Sequence, residues 1–184
     1  MADTTTPDTP SLILETRRLI MTPVATRDLP DVAPVWREPD VYRHIGGRPF
    51  SEEDCWNRLL RDVGHWVTMG YGLWTVRMKA TGAYAGVAGF ADFRRDMNPP
   101  FDDAPEGGWV MAPWTRRQGL ASEAVGAALD WVEAVLNPPR TVCMIAPENQ
   151  PSLRLADRFG YVPYAATQYR GEDVILLERP RGGG

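Results

Sequence analysis

Apolar positions along this chain change their period several times, and each change marks an element. Leu12-Ile-Leu-Glu-Thr-Arg-Arg-Leu-Ile-Met-Thr22 alternates apolar with polar residues and predicts one first strand. Asp28 to Arg37 takes helical spacing, with Thr26 as the expected cap and Pro30 in the first turn. Ser51-Glu-Glu-Asp54 puts a hydroxyl and acids at the start of a second helix, whose expected apolar stripe is Trp56, Leu59, Leu60, Val63 and Val67. Leu73 to Met78 and Ala83 to Phe93 read as two strands of a hairpin around Lys79-Ala-Thr-Gly82. A Pro- and Asp-rich loop over 94–105 then leads to a strand over Gly107 to Met111.

After Gly119 a long helix buries Leu120, Ala124, Val125, Ala128, Leu129, Val132 and Leu136, and Asn137-Pro-Pro139 stops it. Thr141 to Ile145 is a β-branched strand expected parallel to its predecessor. A short helix over Gln150 to Phe159 ends at Gly160, and two strands near 163–169 and 173–178 flank Arg170-Gly171-Glu172. The order β, αα, a hairpin plus one strand, then β-α-β-α-β-β predicts an α/β (α+β) mixed sheet. One right-handed parallel crossover lies at its centre. Residues 1–10 and 180–184 are expected as flexible tails around one domain over 11–179.

Composition narrows the function classes. A net charge of −4 argues against a general nucleic-acid binder, which needs a basic face. No apolar run reaches membrane-spanning length, and the first ten residues lack the basic and apolar regions of a signal peptide. Cys55 and Cys143 stand far apart with no pairing or metal pattern, so free buried thiols in the cytoplasm are expected. His44 and His65 have no partner at metal-ligand spacing, and no metal is expected. Seven Trp residues should include some that line a cleft or an oligomer interface, as in a homodimer.

The segment Trp109-Val-Met-Ala-Pro113-Trp-Thr-Arg116-Arg117-Gln118-Gly119-Leu-Ala121-Ser122-Glu123 proposes a ligand class. A strand ends at a proline, a cationic turn follows, and a helix begins at once. Such an order leaves backbone N–H groups and the positive end of a helix dipole facing outward, as a phosphate requires. It matches neither the Gly-x-x-x-x-Gly-Lys loop nor Gly-x-Gly-x-x-Gly. Read as Arg116-x-x-Gly119-x-Ala121, it resembles the pyrophosphate motif of the GNAT superfamily of acyl-CoA-dependent N-acyltransferases. Alone, the turn also fits an ordinary strand–turn–helix connection with solvated arginines.

Ala146-Pro-Glu148-Asn149-Gln-Pro-Ser152, followed by an amphipathic stretch and Gly160-Tyr161, resembles the second signature of that superfamily and lies one strand after the first. Within the superfamily the chain is similar to the RimJ/RimL-type branch. The similarity rests on Leu14-Glu-Thr-Arg-Arg-Leu-Ile20, Glu106-Gly-Gly-Trp109 and Glu148-Asn149 before Ser152.

The resemblance implies a GNAT fold, a mixed sheet splayed between two parallel strands and flanked by helices. It implies acetyl-CoA as co-substrate. The backbone of Trp109, Val110 and Met111 would hold the pantetheine, while Arg116, Arg117, Gln118, Gly119, Ala121 and Ser122 would hold the diphosphate. Asn149 would bond the pantetheine, a role compatible with capping the helix it precedes. Ser152 would sit beside the sulfur, or serve only the backbone of its helix turn. Many members carry a tyrosine acid one turn beyond that position; here the position is Ala156, so Ser152, or a water it holds, would be the substitute donor.

Glu106 is the candidate base, against the reading of a loop or substrate-orienting acid. The implied reaction is direct attack of a primary amine on the acetyl thioester, the amine belonging to a small molecule or a peptide N-terminus. An acyl-CoA-binding module without turnover stays open as the alternative. Acceptor determinants are expected in 26–70, including the His44 loop, and in 94–105, where Asp102 and Asp103 read mainly as solvated acids.

Overall fold

The strand over Tyr84–Ala91 explains the layering, because it is buried along its whole length and sends side chains to both faces. A strand covered on both faces needs helices on both sides. The computed structural model describes residues 11–182 and supplies those helices. The strands are β1 (Leu14–Glu15), β2 (Leu19–Pro23), β3 (Leu73–Met78), β4 (Tyr84–Ala91), β5 (Glu106–Met111), β6 (Arg140–Ile145), β7 (Val162–Tyr169) and β8 (Glu172–Pro180). The helices are α1 (Leu29–Trp36), α2 (Pro39–Tyr42), α3 (Glu52–Met69), α4 (Leu120–Val135) and α5 (Gln150–Arg158). The eight strands form one mixed sheet in the order β1-β2-β3-β4-β5-β6-β8-β7.

On one face α4 packs Leu120, Val125, Leu129 and Val132 against β2, β3 and β4. Trp66, Trp74 and Trp131 meet edge to face there at 4.8–6.2 Å, which places three of the seven tryptophans in the core or at its rim. On the other face α1 and α3 bury Trp36, Cys55 and Leu59 against Leu73 and Val87. Cys55 and Cys143 are free and buried.

Several expectations need correction. The first strand is two, because the chain turns at Thr16–Arg18, where Glu123 on α4 captures it. Glu123 accepts from the Thr16 hydroxyl at 2.5 Å, from the Arg18 amide at 2.8 Å and from Arg18 Nε at 2.7 Å. Thr26 is no cap: it opens a 3₁₀ turn, and the Ala25 amide donates to Asp28 instead. In α3, Ser51 and Asp54 exchange side-chain-to-amide bonds as a capping box. Its buried residues are Cys55, Leu59 and Asp62, with Val63 packed beside them, so Leu59 and Val63 of the expected stripe face the core. Trp56, Leu60 and Val67 face outward, because α3 rests on α1 and β3 through the 55/59/62 edge. Helix α2 carried no signal in four residues. Pro180 pairs with Arg140 in β8, so the expected 180–184 tail starts inside a strand; the expected 1–10 tail lies outside the described residues.

The Glu123 clasp fixes the β1–β2 corner to the first turn of α4. Burial opposes ionisation of this carboxyl, but the Thr16 hydroxyl, the Arg18 amide and the Arg18 guanidinium outweigh it and hold its pKa below the ordinary 4.5. A depressed folded pKa stabilises the native state above the unfolded value, and that increment fades as the pH falls. Glu123→Gln should therefore lower stability at pH 7 by about 1–3 kcal/mol. In urea melts the gap to wild type should narrow steadily below pH 4.5; a pH-independent gap would contradict the clasp.

Candidate active site

The site begins where two parallel strands part. β5 and β6 pair at one position only, Glu106 with Val142, and Val142 N–H donates to Pro105 O at 3.0 Å. Beyond it the strands diverge. On its other side β5 stays paired to β4, and Ala112 N–H donates to Ala85 O at 2.8 Å. Because antiparallel bonding alternates by residue, that bond assigns 108 and 110 to β4 and turns the N–H and C=O groups of Trp109 and Met111 toward the gap. Close contact with β4 depends on Gly86, where a Cβ would stand 2.4 Å from Val110 O.

The gap opens into a cleft of about 600 Å³. Trp109, Val110 and Met111 form one wall, and Asn149 and Ser152 the other. Arg116, Arg117, Gly119, Ala121 and Ser122 close one end. Ten of the expected cofactor residues therefore line one cavity. Gln118 does not: its amide donates to Trp114 O at 2.6 Å, and its carbonyl accepts from Arg18 at 2.8 Å, so it braces the turn from behind.

The turn presents donors. Arg117 and Gly119 lie at φ +59° and +72°, a left-handed pair that reverses the chain into α4. The N–H groups of Arg117, Gly119, Leu120, Ala121 and Ser122 have no acceptor among the described residues, whereas that of Glu123 bonds Gly119 O. Guanidiniums multiply the effect. Arg43, Arg116, Arg117, Arg154 and Arg158 all line the cleft, with Asp40 as the one carboxylate in its wall. Asp40 pairs with Arg116 and Arg43, and Arg116 foremost holds its carboxyl below the usual range. An acidic chain has placed five arginines around this one cavity, and that pattern suits a polyanion.

Across the cleft, Asn149 caps α5 by accepting from Ser152 N–H at 3.3 Å. The indole of Trp109 donates to Ser152 Oγ at 3.2 Å, so the hydroxyl proton of Ser152 is free for another acceptor. Ala156 is buried among Cys143, Ile145 and Tyr161. His44 faces the cleft with a buried Nδ1 that lacks a hydrogen bond and stands 3.7 Å from Glu148. Nothing local in the sequence marks His44, Arg43, Arg154 or Arg158 as a set; only the fold assembles them.

Glu106 sits apart. It is 4% exposed on the face opposite Trp109 and lines a second pocket of about 330 Å³ with Asp92, Phe93, Arg95, Phe101 and Ala104. Arg95 Nε and Nη2 grip its two oxygens at 2.6 Å each. Burial raises its pKa, with Arg95 pulling the other way.

A family model described as an acetyltransferase (GNAT) domain matches residues 18–162. The chain belongs to the GNAT acetyltransferase family. It is an acyltransferase of a family that uses acetyl-CoA. A Bordetella pertussis chain assigned to the same family is 33% identical, with a TM-score of 0.82 over 92% of this chain and 99% of that one. The uncharacterized N-acetyltransferase p20 of Bacillus licheniformis is 24% identical over 80% of this chain and 81% of its own length. The fold is shared with RimL, a ribosomal L7/L12 alpha-N-protein acetyltransferase solved with coenzyme A. That match has 16% identity and a TM-score of 0.74, over 94% and 99% of the two chains.

Gly119 tests the donor turn. A Cβ there would stand 3.6 Å from Arg18 Nη2, an ordinary contact, so substitution strains the backbone rather than the packing. Gly119→Ala should cost about 1–2 kcal/mol of stability. It should also weaken coenzyme A binding about tenfold by calorimetry, as the strained turn re-aims its N–H groups; unchanged affinity would remove the turn from the site.

Proposed function

We infer that this protein transfers the acetyl group of acetyl-CoA to a primary amine of a small molecule or a protein N-terminus, with donor and acceptor bound together. The observation that carries the reading is the coincidence, in one cleft, of an unpaired strand edge, a turn of free N–H groups and five arginines. A long donor with an amide-bearing arm and phosphates at one end fits each in turn. The bound thioester supplies an activated acyl carbon and a sulfur leaving group.

The residues divide the work. Trp109 and Met111 offer main-chain groups to the arm as an added strand would. Arg116, Arg117, Gly119, Ala121 and Ser122 take the phosphate end, and Gln118 keeps their turn rigid. Ser152, with its oxygen already bonded by Trp109, relays a proton to the departing sulfur, giving up its own and taking one from water so that the hydroxyl is restored. Glu106 receives the proton of the attacking amine. Because Arg95 holds both oxygens, it does so through water at the lone pairs left free. Its raised pKa makes it a stronger base than an ordinary carboxylate.

Thiol release from acetyl-CoA, measured over a panel of amines and N-terminal peptides, tests the activity; tight coenzyme A binding without turnover would leave an acyl-CoA-binding module instead. Glu106→Gln should cut kcat/KM by about 10²–10³ and abolish the acid limb of its pH profile. Ser152→Ala should lower kcat about tenfold with coenzyme A affinity intact. An unchanged kcat would take Ser152 out of the mechanism.

A further inference from the structure

Three guanidiniums surround Glu106 on its face of the sheet: Arg58 and Arg61 from α3 and Arg95 from the loop before β5. The Glu106 carboxyl lies within the field of all three. Two of them have acids of their own, since Arg95 holds Glu106 and Arg61 holds Asp62, each at 2.6 Å. Arg58 has none among the described residues. Its Cζ stands 4.1 Å from the Trp36 ring centre and 5.7 Å from that of Phe50. Arg58 Nε and Trp36 Nε1 are both buried donors without an acceptor. Two unfilled donors, one of them charged, thus belong to one stacked pair of side chains, with Phe50 beside them.

Such a site is unfavourable when empty. Ring faces offset part of a guanidinium's lost hydration, whereas each unfilled buried donor forfeits a hydrogen bond it would make in water. Burial, helped by the charge of Arg61, draws the Arg58 pKa down to about 10, so Arg58 remains a cation at neutral pH. Trp36 belongs to the cluster against which Val110 and Ile45 pack, on the face opposite Trp109. The phosphate end of the donor is accounted for by the arginine turn, and Arg58 does not line that cleft.

We propose that Arg58, with the Trp36 indole, binds a carboxylate of the acceptor, so that the preferred substrates are amines carrying a carboxylate near the reacting nitrogen. This rests on the acetyl-transfer reading above. A planar monoanion fits the guanidinium fork and a neighbouring N–H donor. A phosphate dianion fits less well, because Glu106 lies in the same field and would repel it. The carboxylate belongs either to a free amino acid or to an acidic residue next to a peptide's N-terminus.

Paired acceptors decide this: an amino acid against its α-amide, and a peptide with Asp in second place against one with Asn. The acid should exceed its amide at least tenfold in kcat/KM in one pair, and which pair responds identifies the source. In Arg58→Met, which keeps the stem on Trp36, that ratio should fall to about one, and Arg58→Lys should restore part of it. A purely structural Arg58 would lower both members of a pair together and leave the ratio intact. Equal rates for acid and amide in wild type would overturn the proposal. Thermal shift gives an arm independent of turnover: the acid should raise Tm more than its amide in wild type and not in Arg58→Met. If no amine is acetylated, the acetyl-transfer reading falls, while the thermal shifts still decide whether Arg58 binds carboxylate.

Discussion

The divergence of β5 from β6 after Glu106 and Val142 is the constraint on which the site depends. Parallel neighbours in a sheet interior normally continue their ladder, since each unpaired backbone group kept from water costs about 1–3 kcal/mol. Here the opposite edge of β5 is held so closely that the strand cannot swing back. Gly86 brings Val110 O and Met111 Cα into positions that any side chain would fill. The Trp109 indole stands in the gap as a strut bonded to Ser152, joining β5 to α5 where no ladder can form. An unsatisfied edge maintained by close packing is a preorganised receptor for an extended amide chain.

Rigidity reaches the cationic turn by another route. Glu123 fastens Thr16 and Arg18 to the first turn of α4, and Arg18 then reaches Gln118 O. The turn is braced from outside by the N-terminal strands while its inner N–H groups stay free. This gives a physical sense to the Glu-Thr-Arg-Arg-Leu stretch, which in the sequence carries only a resemblance. Its Thr16 and Arg18 support the donor end of the site without touching the cleft.

The sequence made local periodicity and contiguous motifs legible, and little that depends on convergence. The helix after Gly119, its buried set through Val132, the β3–β4 hairpin and the single parallel crossover follow from spacing alone. The stripe of α3 keeps Leu59 and Val63 but not Trp56, Leu60 and Val67, which are as apolar as the residues that turn inward; only the partner surface chooses between the two edges. Gln118 falls inside the motif yet points away, since alternation within a tight turn is set by its left-handed residues. Arg58, Arg95 and His44 carry no local pattern. Their meaning comes from what each meets among the described residues: an acid for Arg95, a distant carboxylate for His44 and no acid for Arg58.

Placing Glu106 at the last paired position of the two strands joins the two halves of the molecule's chemistry. Its backbone belongs to the point where the donor cleft opens, whereas its side chain lies across the sheet in the second pocket with Arg95 and Phe93. A base must stand beyond the acyl carbon from the donor's point of view and in front of it from the acceptor's. A residue at the apex of the splay meets both conditions through the alternation of one strand: Trp109 and Met111 turn to the α4 face, and Glu106 and Val110 turn to the α3 face. The excess of cations around that carboxylate then has a consequence. Burial raises the pKa of this carboxyl, and Arg95, Arg61 and Arg58 work against that rise. Under the acetyl-transfer reading, that field would disfavour a protonated amine and favour one whose charge is balanced by a carboxylate of its own. The basicity of Glu106 is thus a balance between burial and the guanidiniums around it, an arrangement built on the inner face of α3 and completed only when the chain closes over it.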